Sequence, residues 1–125
     1  MIGRLHTTAV DCPDPAALAG FYSELLGLPL ADRGEDDGEW VVIGGDGAPR
    51  IAFQFAPDHR PPQWPDPARP QQMHFDVWVD DIEAAERRVL ELGATPLARS
   101  EEVPGYPFRV YADPAGHPFC LEFAR

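Results

Sequence analysis

Two pairs of polar side chains stand out as candidates for chemistry. His6 and His74 are 68 residues apart, and the same interval separates Gln54 from Glu122. Each of the four sits near one end of a stretch that reads as a β-strand. If two related halves pack side by side, the four converge on one cleft. The alternative is that each is a hydrogen-bonded strand residue with a structural role. His59 lies in a proline-rich stretch and His117 directly after a turn, so both are expected at the surface. The two cysteines, Cys12 and Cys120, are too few for a disulfide scaffold and lack zinc-knuckle spacing. Cys120 has no evident flanking base and reads as a buried, inert thiol rather than a nucleophile. All ten basic residues are arginine. The missing lysine excludes Schiff-base catalysis and a Walker-type phosphate loop.

The elements that would position these residues occur twice. Residues 5–31 and 73–98 each open on a strand-like segment with a histidine and continue into an amphipathic helix. Each helix closes on Leu-Gly, and Pro-Leu-Ala follows. The first helix is expected to start at the N-cap Asp14 with Pro15 in its first turn and to stop at Gly27. Leu18, Phe21, Leu25 and Leu26 form its apolar stripe. The second starts near Asp81, carries Ile82, Ala85, Val89 and Leu92, and stops at Gly93. Short strands are expected at 28–33 and 94–99. Hairpins are expected over 40–55, turning at Gly44-Gly45-Asp46-Gly47, and over 108–123, turning at Asp113-Pro114-Ala115-Gly116. The order in each half is βαβββ.

Between the halves, residues 57–70 contain six prolines. Such a segment is expected to be an extended, stiff linker. Its Trp64 either packs against its own domain or forms a lid over a ligand site. The division is thus a single domain, 1–125, with module 1 at about 3–56, the linker at 57–70 and module 2 at about 71–124. Strand parity puts His74, Asp76 and Trp78 on one face, opposite Phe75, Val77 and Val79. Cys120 and Glu122 share a face opposite Phe119, Leu121 and Phe123. Gln54 lies opposite Ile51, Phe53 and Phe55. The apolar faces suit a helix-backed sheet; the polar and aromatic ones suit a binding cleft.

The net charge of −11 argues against nucleic acid or an anionic membrane as a partner. No apolar run is long enough to span a bilayer and the N-terminus lacks a signal-peptide core, so a cytoplasmic location is expected.

The repeated βαβββ plan, the Asp-Pro-x-Gly hairpin and the strand histidines resemble the vicinal oxygen chelate superfamily, which includes glyoxalase I, bleomycin-resistance proteins and extradiol dioxygenases. DCPDPAALAGFY, WPDPARPQQMHFDV and DPAGHPFCLEF are closest to its small glyoxalase-like domain branch. The resemblance covers about residues 5–123. It implies an α+β fold of two tandem βαβββ modules, forming a curled mixed sheet around a cleft with helices outside, and a homodimer. It also implies one divalent metal (Zn, Ni, Fe or Mn) held by a His/Glu/His/Glu quartet, with a carboxylate moving the substrate's proton.

Carried over, His74 takes the third ligand position. The first falls on His6, with Thr7 competing because the Cys12-Pro13 stretch makes this loop one residue longer. The second falls on Gln54 where the family has Glu. The fourth is Glu122 by internal symmetry, or Cys120 counted from the hairpin turn. Glu122 is also the candidate catalytic carboxylate. Three functions follow: sequestration of a small ligand, cationic in keeping with the charge; a metal-dependent lyase or isomerase of the glyoxalase I type; or a non-catalytic role in an assembly. For a ligand, Trp40, Trp64, Trp78 and Tyr111 would supply stacking surface.

Overall fold

The computed structural model describes residues 1–32, 38–100 and 107–125. They form two compact units, Met1–His59 and Arg60–Arg125, each built around one open four-stranded mixed sheet. The first unit contains β1 (Thr8–Cys12), α1 (Pro15–Leu26), β2 (Leu30–Asp32), β3 (Trp40–Gly44) and β4 (Arg50–Phe55). The second contains β5 (Phe75–Trp78), α2 (Ile82–Glu91), β6 (Thr95–Ser100), β7 (Phe108–Ala112) and β8 (Pro118–Glu122). The strand orders are β1-β4-β3-β2 and β5-β8-β7-β6, with the first pair of each sheet parallel and the rest antiparallel. This is the expected α+β plan of two βαβββ modules. Arg33, expected at the end of β2, lies outside the described residues.

Local chemistry accounts for the element ends. The Asp14 carboxylate accepts from the Ala17 amide at 3.1 Å, and the Asp81 carboxylate accepts from the Ala84 amide at 3.0 Å. Each satisfies an amide that the first helical turn leaves without an intrahelical partner. Gly27 ends α1 in the left-handed conformation at φ 66°. Gly44 has φ 79°, and a Cβ there would lie 1.8 Å from the Pro49 carbonyl oxygen, so only glycine fits at the head of the β3–β4 turn.

Packing follows the expected faces with one addition per unit. In the first, α1 packs on β3 and β4. Leu18 and Phe21 are buried as the stripe requires, but so is Tyr22, whose ring stacks on Phe53 with centroids 5.7 Å apart. In the second, Phe75, Phe119 and Tyr111 align across β5, β8 and β7, and Val77, Leu121 and Arg109 form the next row. An arginine in that apolar face was not expected. Its side chain is only 5% exposed and it forks between α2 carboxylates, Nη2 to Glu83 Oε1 at 2.7 Å and Nη1 to Glu86 Oε2 at 2.9 Å. Arg99 adds a 2.9 Å contact to Glu86 from β6.

The proline-rich segment departs from the extended form expected of it. The Asp66 amide donates to the Gln63 carbonyl, the Arg69 amide to the Asp66 carbonyl, and the Gln63 amide to the Arg69 carbonyl at 2.8 Å. Residues 63–69 are therefore a closed loop of two turns. Pro61 lies over Gly116, where a Cβ would come within 2.4 Å of the proline Cβ. Most of the segment belongs to the second unit, pinned to its β7–β8 turn.

Candidate functional site

The register of the second sheet assembles the site. Asp76 on β5 pairs with Cys120 on β8, which pairs with Val110 on β7; Trp78, Glu122 and Phe108 form the adjacent row. Side chains paired in this way share a face of the sheet. His74, immediately before β5, points the same way by parity, and its Nε2 lies 3.2 Å from Asp76 Oδ1. Trp64 and Gln71 are contributed by the segment that precedes β5. Together His74, Asp76, Cys120, Glu122, Val110, Phe108, Trp64 and Gln71 line a cleft of about 300 Å³.

His74, Asp76 and Cys120 each offer a ligand atom, and these atoms lie within 4.8 Å of one another; among the described residues this is the group of metal-binding side chains that close together. Burial pushes the Cys120 thiol up to about 12, helped by the charge and hydrogen bond of Asp76. Without a cation beside it, Cys120 is therefore a neutral thiol at physiological pH, which excludes an activated nucleophile. An imidazole, a carboxylate and a thiol are a donor set that fits a divalent ion of intermediate softness, so the metal implied by the resemblance has residues to hold it.

The expected site residues divide between the units. The second holds Trp64, His74, Asp76, Cys120 and Glu122 in its cleft. Trp78 shares the face and is half-exposed, but it is not among the lining residues. Tyr111 is a correction: expected as stacking surface in the cleft, it lies on the opposite face, 1% exposed, with its ring on Phe119 and its hydroxyl on Glu86. An odd number of steps along β7 separates it from Val110 and Phe108, which turns it to the helix side of the sheet.

In the first unit, Trp40 pairs with Gln54 across β3 and β4. His6 is exposed and precedes β1. Thr8 pairs with Ile51 as Phe75 pairs with Phe119, so the residue equivalent to His74 is Thr7 rather than His6. The Thr7 hydroxyl accepts from Arg50 Nε at 2.9 Å. Ala9 and Ala52 occupy the positions equivalent to Asp76 and Cys120. Metal-binding chemistry at these positions is thus confined to one module.

Sequence reasoning joined Cys120 to His74 as an alternative fourth ligand but left Asp76 among the ligand-cleft residues, outside the metal set. The i, i+2 spacing of His74 and Asp76 carried the signal for it. It also missed the carboxylates under the sheet. Glu86 is held below the usual carboxylate range by the Tyr111 hydroxyl and by Arg109, and Glu83 by its hydrogen bond to Arg109.

Comparison with known proteins agrees with this architecture. Residues 7–122 match the glyoxalase-like domain family. Among solved structures, a glyoxalase/bleomycin resistance protein/dioxygenase family enzyme from Burkholderia phytofirmans is similar at 15% identity and a TM-score of 0.76, over 98% of this chain and 100% of the other. A lactoylglutathione lyase from Agrobacterium tumefaciens is similar at 20% identity and a TM-score of 0.64, over 97% and 93%. A glyoxalase family protein from Enterococcus faecalis is similar at 18% identity and a TM-score of 0.69, over 97% and 98%. These identities speak for the fold alone. No curated protein matches the sequence. With the family matched across nearly the whole chain and the paired modules seen in the fold, the chain belongs to the glyoxalase-like domain family of the vicinal oxygen chelate superfamily.

Proposed function

We propose that the second unit binds a small organic molecule, neutral or cationic, in the cleft over β5, β8 and β7. One observation carries this reading: the lining combines the carboxylates of Asp76 and Glu122 with Trp64, Phe108 and Val110, and it includes no arginine among the described residues. An aromatic face beside carboxylates favours an organic cation through cation–π and Coulomb attraction. An anionic ligand would meet two like charges there and no counter-charge. Trp64, held in its closed loop, covers one side. The homodimer implied by the resemblance stays part of the proposal, and light scattering tests it.

Titration of the protein's tryptophan fluorescence with a panel of aromatic cations and cationic antibiotics tests the reading. Saturable binding that weakens in Glu122→Gln and in Trp64→Ala supports it. No binding tighter than ~1 mM across the panel counts against it.

A metal-dependent lyase or isomerase is the second reading, favoured by the cluster of His74, Asp76 and Cys120. Those three residues would hold the metal, which when bound supplies Lewis-acid polarisation of a substrate oxygen. Glu122 lines the same cleft and is the carboxylate that takes and returns a substrate proton. Turnover of a 2-oxoaldehyde–thiol adduct that is lost in Glu122→Gln would select this reading over sequestration.

A further inference from the structure

We infer that His74, Asp76 and Cys120 form a thiolate-bearing site, contained wholly in the second unit, that takes a thiophilic divalent ion of the zinc class. The family resemblance implies four ligands drawn from both modules, with His74 third and Glu122 or Cys120 fourth; this site instead joins Asp76 to His74 and Cys120 and lies within one module. It rests on the cleft reading for its location but needs no organic ligand.

Three observations carry it. Asp76 and Cys120 are direct ladder partners on β5 and β8, so their backbones are held by the sheet, and His74 stands two residues from Asp76. The three donor atoms lie within 4.8 Å of one another, and the His74–Asp76 pair is already at 3.2 Å. Zinc bonds of about 2.0–2.3 Å set ligand atoms roughly 3.3–3.8 Å apart in a tetrahedron, so small side-chain rotations close the group on an ion. The equivalent positions of the first unit, Thr7, Ala9 and Ala52, carry no imidazole, carboxylate or thiol.

The mixture of donors sets the metal class. Thiolate selects zinc over magnesium or manganese, imidazole suits zinc, and one carboxylate leaves the set near neutral overall once the ion is bound. Three protein ligands leave a fourth position, and the cleft supplies the space for it, as in catalytic rather than structural zinc sites. Coordination displaces the thiol proton from Cys120 to solvent, so binding releases a proton and tightens as pH rises.

The test uses the full chain, stripped of metal with a chelator and titrated with cobalt(II) chloride. The expected result is a near-ultraviolet sulfur-to-cobalt charge-transfer band that saturates at one ion per chain and is bleached by competing zinc. Cys120→Ser abolishes the band, and His74→Ala and Asp76→Asn each weaken cobalt binding by more than about tenfold, since even outer-shell substitutions reach that range. His74 and Asp76 are exposed enough for their variants to fold if the serine variant does not. His6→Ala leaves the titration unchanged, and Glu122→Gln keeps the charge-transfer band, since its carboxylate lines the cleft without being a ligand of this site.

Absence of the band in folded protein, its persistence in Cys120→Ser, or its insensitivity to both His74→Ala and Asp76→Asn overturns the site. Loss of cobalt binding in Glu122→Gln or His6→Ala replaces it with the family's ligand set. The tryptophan titration on metal-free protein reads the cleft independently. A missing cobalt band with intact ligand binding therefore sinks this inference alone.

Discussion

At the residue scale, the most consequential charge in the second unit is Arg109, on the helix side of the sheet and away from the cleft. Its guanidinium is buried and bridges Glu83 and Glu86, so Arg109→Ala leaves the partly buried Glu86 short of a partner. Denaturant unfolding at neutral pH is expected to show a loss of about 3 kcal/mol, the lower end of the range for breaking a buried ion pair from one side. Glu86 also makes stability depend on pH. Its folded pKa is lowered, by the Tyr111 hydroxyl first and then by Arg109, below the ordinary range of a glutamate. Its contribution is therefore fully present above the unfolded pKa and is lost as pH falls through the folded one. Unfolding curves of Glu86→Gln should be less stable at neutral pH and lose less on acidification than the wild type. Residue identity alone did not reveal this network. Arg109 and Tyr111 gain their meaning from facing α2, and Glu83 and Glu86 look like ordinary solvated helix charges until that face is known. The same limit applies to His6 and Thr7, which differ by one residue in sequence but only one of which matches His74 in the ladder.

At the element scale, helix ends and hairpin turns were readable because each depends on a few neighbouring residues. Asp14, Asp81 and Gly27 do what their types predict. Asp81→Ala should cost about 1 kcal/mol, the usual loss of an N-cap, measurable as a lowered Tm. The proline-rich segment was less readable. Six prolines argue for an extended chain, but Gln63, Asp66 and Arg69 keep their amides and use them to close a loop. Those bonds all lie within residues 63–69, and the loop is tied to the rest of the unit by Pro61, seated on Gly116. Gly116→Ala combines a strained φ of 91° with a 2.4 Å clash against Pro61. We expect it to displace the segment, red-shift the emission of Trp64 and weaken ligand binding, while Gly3→Ala, in open space, serves as the neutral control.

At the scale of the whole molecule, the net charge of −11 favours cations at long range and penalises anions. Binding of a cationic probe should weaken as salt shortens the Debye length from about 30 Å at 0.01 M to about 8 Å at 0.15 M, whereas a neutral isostere should be insensitive. No helix among the described residues is long and apolar enough to cross a membrane. What the sequence by itself determined is the doubled βαβββ plan, the ends of its helices and turns, and the two faces of β4, β5 and β8. These depend on short-range periodicity, capping and turn chemistry, which are written into consecutive residues. Only the tertiary structure decided which residues stand together. The ladder joined Asp76 to Cys120 across 44 positions, turned Tyr111 away from the cleft, and left the first unit's equivalent positions without metal-binding side chains. Pairing register is a long-range property, and a shift of one residue moves a side chain to the other face of the sheet.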